Sequence, residues 1–136
     1  MVQNFGGILN LVVFIALTFG WAMYGFQMSI GIKAFFDKFK ISHTGVIIGG
    51  FVGSFALAAV AMHIVILIRG AEGAWYLFVY FFIQAIIAAI LSYRTVSAKV
   101  AADEGVIYTA EPIVAPLVFG AGYAFLLFNM QGILYA

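Results

Sequence analysis

The chain contains no cysteine. Disulfides, thiolate metal sites and cysteine nucleophiles are therefore excluded. Charge is almost as scarce, at 8% of 136 residues; soluble domains carry about 25%. Six basic residues and a net charge of +1 leave no footprint for nucleic acid. No basic residue precedes Lys33, so the N-terminus lacks the charged region of a signal peptide. Catalytic constellations are missing too. There is no Ser/His/Asp set, no carboxylate pair inside an apolar run, no phosphate-binding glycine loop and no metal-ligand spacing. The chain reads as a non-enzyme. Asp37, Glu72, Asp103, Glu104 and Glu111 all fall in loops or at the ends of apolar runs. That weighs against a proton-coupled pump or cation transporter.

What fills the chain is apolar: 66% of residues are hydrophobic. A soluble body must cover itself with polar groups, and lipid removes that requirement. Four runs are long enough for a crossing, which takes ~20 residues. The fold class expected is an all-α membrane protein with one domain over 1–136. Its four transmembrane helices lie at about 7–32, 44–68, 74–93 and 113–135, arranged as two antiparallel hairpins. The first span is read as retained, since its apolar run exceeds that of a signal peptide. Its length implies tilt.

Residues 33–41 interleave charge with phenylalanine. Lys33, Asp37 and Lys40 share one helical face, opposite Phe35, Phe36 and Phe39. This suits a short interfacial helix, or a helix end with snorkelling lysines. Ser42 and Thr44 offer capping hydroxyls before span two, and Arg69-Gly70 closes it. The short loop that follows makes spans two and three antiparallel neighbours. Trp75, Tyr76, Tyr80 and Tyr93 mark aromatic belts. Without a breaker, span three is predicted to run on as helix to about Glu104 and stop at Gly105. Pro112 suits a first helical turn, with Glu111 near the positive end of the dipole.

Four spans put both termini and loop two on one side, loops one and three on the other. Lys33, Lys38, Lys40, Arg94 and Lys99 lie on the loop one and three side; Arg69 alone lies opposite. The positive-inside rule then places loops 33–43 and 94–111 in the cytoplasm, matrix or stroma, and both termini outside. That bias, the short loops and the missing cysteines set the chain apart from claudins and tetraspanins. The bias and the short loops separate it from MARVEL proteins as well.

The strongest motif is in span two. Gly45, Gly49 and Gly53 form a GxxxGxxxG series, and Gly50, Ser54 and Ala58 form a second small-residue ridge beside it. Small residues let membrane helices approach closely. The ridges mark either an interface to another subunit or packing within the chain. His63 is the sharpest candidate for chemistry, because ionisable groups inside spans are costly and often functional. It suits haem b ligation, proton relay or a hydrogen bond to a neighbouring helix. The stretch His63-Ile-Val-Ile-Leu-Ile-Arg69 resembles the haem-ligand helix of succinate dehydrogenase membrane anchors. Ser42-His43-Thr44-Gly45 resembles their quinone-side motif. In that family the two motifs occupy different helices; here they share one. His43 and His63, twenty residues apart on one helix, stand about 30 Å from each other and cannot clamp one haem.

Gln84, Asn129 and Gln131 are intramembrane polar amides, expected to hydrogen-bond between helices. Phe78, Phe81, Phe82 and Phe119, Phe125, Phe128 suit acyl-chain contact or a groove for lipid, quinone or pigment. Three function classes follow. The first is a non-catalytic accessory subunit of a larger membrane complex, such as an energy-converting one, with membrane subunits and lipid as partners. The second is a haem- or quinone-binding anchor using His63. The third is a small channel or transporter built as a homo-oligomer.

Overall fold

In the computed structural model, described over residues 1–100 and 104–136, the chain is helical, with no strand among the described residues. Four helices are long and apolar enough to cross a membrane: α1 (Ile8–Gln27), α3 (Val46–Arg69), α4 (Trp75–Ala98) and α5 (Glu111–Asn129). Two short helices accompany them, α2 (Ile32–Phe39) and α6 (Gln131–Leu134). The expected four-span membrane bundle is therefore present.

The closest backbone packing pairs α1 with α3 and α4 with α5. A third contact, between α1 and α5, joins the two pairs. Spans two and three, adjacent in sequence, meet instead through large side chains, such as the His63 and Phe81 rings. Their backbones are held apart by the aromatic core. Phe14, Phe78, Tyr123, Leu126 and Met130 are all essentially inaccessible there.

The ends of the helices depart from the sequence reading in three places. Span one stops at Gln27, not at residue 32. The chain turns at Met28, whose carbonyl lies against α3 at Gly53. A Cβ on Gly53 would stand 2.6 Å from that oxygen, so only glycine allows the turn to sit there. α2 then starts afresh at Ile32 and ends at Lys40, which adopts a left-handed conformation (φ 53°). Its Ile32, Phe36 and Phe39 are buried, and Ile32 and Phe36 lie against the Gly45 and Gly49 surface of α3. The charged Lys33, Asp37 and Lys40 face outward.

α4 ends at Ala98, with Lys99 left-handed (φ 48°). The helix expected to reach Glu104 therefore stops early; residues 101–103 of that stretch lie outside the described residues. Span four breaks at Met130, and the short α6 that follows holds Leu134 fully buried. By contrast, Gly70 closes α3 as expected. Its φ is 101°, and its N–H donates to the Ile66 carbonyl.

Both ends of the bundle are tied off. At one end the Ile107 N–H donates to the Phe39 carbonyl at 2.9 Å. Lys38 there pairs with Glu111 at 2.7 Å, so loops one and three share a side. At the other end the Gly73 N–H donates to the Ile133 carbonyl at 3.3 Å. Gln3, Asn4, Arg69, Glu72 and Ala136 line one polar hollow beside it. Both termini and loop two therefore share the opposite side.

Candidate functional site

His63 sits inside the bundle, 1% exposed. Its ring is held between Phe14 of α1 and Phe81 of α4, at centroid separations of 4.7 and 5.2 Å. Four polar side chains form a chain through it. Trp21 Nε1 donates to Tyr123 Oη at 2.6 Å. Tyr123 Oη lies 3.0 Å from His63 Nε2. His63 Nδ1 lies 3.1 Å from Thr18 Oγ1, and Thr18 donates to the Phe14 carbonyl at 2.8 Å.

The direction of every bond follows from the two ends. An indole N–H only donates, and a carbonyl only accepts. Tyr123, accepting from Trp21, must spend its own proton on His63 Nε2. Thr18, donating to Phe14, must accept from His63 Nδ1. The histidine is thus the neutral Nδ1–H tautomer, assigned from the network. The reverse tautomer would strand the Tyr123 proton, because Trp21 cannot accept it. One unbroken line of donors therefore runs from α1 to α5, to α3 and back to α1.

No family model, curated protein or solved structure matches the chain.

The network uses both ring nitrogens of His63. An axial bond to haem b would have to replace the Tyr123 or the Thr18 bond. It would also need a path past Phe14 and Phe81. His43 stands at the loop one end, with Nε2 2.8 Å from Asp37 Oδ1 on the exposed surface. Among the described residues no cluster of three or more His, Cys, Asp or Glu could hold a metal ion.

The two small-residue ridges have separate roles. Gly45, Gly49 and Gly53 face α2 and the turn before it, so this ridge packs within the chain. Gly50, Ser54 and Ala58 face outward. Nothing lies within 4 Å of a Cβ built on Gly50, and Ser54 and Ala58 are exposed. Ser54 turns its hydroxyl back to the Phe51 carbonyl at 2.7 Å.

None of the three amides bonds between helices as expected. Asn129 Nδ2 donates to the Phe125 carbonyl of its own helix at 2.8 Å, which its exposed position at the end of α5 makes the nearest acceptor. Gln131 is exposed beyond the break at Met130. Gln84 is half-buried on the outside of α4 and has no hydrogen-bond partner among the described residues. The phenylalanine clusters are mostly core: Phe78 and Phe81 are buried, and Phe82, Phe119 and Phe125 pack against them. Phe128 alone of the six is exposed, at 75%. These rings face inward because the aromatic centre around His63 needs their volume.

The partners of His63 were not visible in the sequence. Thr18 is 45 residues away and Tyr123 is 60. The one available signal was a tyrosine twelve residues into a span, far from either belt.

Proposed function

We propose that this chain is a non-catalytic subunit of a larger membrane assembly, docking laterally against another membrane protein. The observation that carries this reading is the outward row of Gly50, Ser54 and Ala58 on α3. Small residues spaced in this way allow close backbone approach, which is how helices associate where lipid supplies no hydrophobic drive. The companion ridge shows the same helix using that device inside the chain, against α2. The interior supports the reading as well. Phe14, Trp21, His63, Phe81 and Tyr123 meet one another along its axis, where a transport path would need space.

The haem-anchor reading gains no support from a histidine whose two nitrogens are spent on Tyr123 and Thr18. The excess of Lys33, Lys38, Lys40, Arg94 and Lys99 over Arg69 supports a cytoplasmic, matrix or stromal side for loops one and three.

Copurification from a mild detergent extract tests the reading. A defined second polypeptide should accompany the tagged chain, and Ser54→Leu with Gly50→Leu should release it. Recovery of this chain with no other polypeptide, alone or self-associated, overturns the proposal. Sidedness is tested separately by single cysteines in the cysteine-free chain. A membrane-impermeant maleimide added outside should label Ala136→Cys and spare Lys40→Cys.

A further inference from the structure

Gln84 is placed where an amide has least reason to be. It follows Trp75, in the aromatic belt, by nine residues of α4. That puts it about 14 Å into a hydrocarbon core about 30 Å thick, close to the midplane. Thr18, Trp21, Ser54, His63 and Tyr123 each find a hydrogen bond inside the chain. Gln84 finds none among the described residues. Lipid tails offer neither donor nor acceptor, so an amide left facing them stays unsatisfied.

The surface around Gln84 is concave. Tyr80, Ile83, Gln84, Ile87, Ala88 and Leu91 line a concavity of about 360 Å³ on the outer side of α4. Tyr80, Ile83, Ile87 and Leu91 are exposed there, and Ala88, one turn from Gln84, is small.

We propose that this face binds a second copy of the chain, the two α4 helices lying side by side with their Gln84 amides paired across a two-fold axis along the membrane normal. An amide carries one acceptor oxygen and a donor nitrogen, so two of them satisfy each other reciprocally. An isologous contact of this kind is self-complementary by symmetry. Depth supplies the second argument for this occupant. Copies inserted in one orientation hold Gln84 at the same level without further adjustment. An unrelated helix would need a donor and an acceptor at that one depth. Asn129 and Gln131 of this chain, near the terminal end of the bundle, lie at the wrong level. The surface is separate from the Gly50–Ser54–Ala58 row, and the inference does not rest on it.

The test reconstitutes the purified full chain in liposomes, as a mixture of donor- and acceptor-labelled copies, over a series of protein-to-lipid ratios. Energy transfer should titrate with the ratio as for a dimer. Gln84→Leu should weaken association roughly three- to thirty-fold, the range for polar contacts between membrane helices. Ala88→Leu fills the concavity without changing the amide and should weaken it too. Circular dichroism checks that both variants remain folded. Cross-linking keeps the native amide in place: Ala88→Cys should form an intermolecular disulfide, while Phe19→Cys, on the exposed face of α1, should not. Three results overturn the proposal. They are a chain monomeric at every ratio, which leaves the groove to lipid or an unrelated helix, a folded Gln84→Leu that associates as tightly as the parent, and cross-linking through Phe19→Cys equal to that through Ala88→Cys.

Discussion

Tyr123→Phe removes one oxygen atom from the centre of the bundle. The ring keeps its volume and its stacking on Phe81, 5.3 Å between centroids, so no large cavity opens. Two hydrogen bonds vanish together. Trp21 Nε1 loses its acceptor and His63 Nε2 loses its donor, both in a buried site. Side-chain bonds between membrane helices average about 0.6 kcal/mol and reach about 1.7. Two of them give about 1–3.5 kcal/mol. Stranded buried groups push toward the upper half of that range, so the expected loss is about 2–3 kcal/mol.

Equilibrium unfolding in mixed detergent and denaturing micelles measures it. His63→Leu and the double variant complete a cycle. The double variant should be less destabilised than the sum of the singles by about 0.6–1.7 kcal/mol, since the shared bond can be lost only once. A Tyr123→Phe loss under ~0.5 kcal/mol, or no coupling between the two residues, would refute the directed chain. Nitrogen-15 shifts of the His63 ring give an independent check. Nδ1 should carry the proton, and a protonated Nε2 would reverse the bond directions argued above.

Two further outcomes follow from the packing. Gly53→Ala should destabilise by about 1–3 kcal/mol, because its methyl meets the Met28 carbonyl rather than a movable side chain. Gly50→Ala, with open space around it, should stay within about 0.5 kcal/mol. The same unfolding titration compares the two, and equal losses would refute the division of the ridges into inner and outer. Lys38→Ala should cost less than ~1 kcal/mol, since the pair with Glu111 is about half exposed on both sides. Molar salt should erase that difference.

The four spans were legible because each is a long apolar run, and lipid as solvent demands little else of a sequence. Their ends were not. Nothing near Gln27 announces a stop; the turn depends on Gly53, reached only after the chain has doubled back. The break at Met130 likewise goes with contacts that local sequence does not announce: Leu134 is buried and Ile133 lies against Gly6 of the opposite terminus. The site was half legible. His63 stood out as an ionisable group in a span, but its meaning depends on Thr18 and Tyr123, and no local spacing encodes contacts across three helices. The glycine series announced close packing without naming what packs. Its neighbour proved to be α2, which the charge pattern of 33–41 had suggested for the membrane surface.

The donor line through His63 also sets an order of events during synthesis. Thr18 and Trp21 enter the membrane first, and His63 can bond Thr18 once α3 is in. Tyr123 lies 60 residues further on, roughly 3–12 s of translation later. Until α5 arrives, the Tyr123 hydroxyl that joins Trp21 to His63 is absent. α5 is thus the span that completes the line of bonds. A nascent chain truncated after α4 should be held by membrane quality control, and adding α5 as a separate peptide should release it.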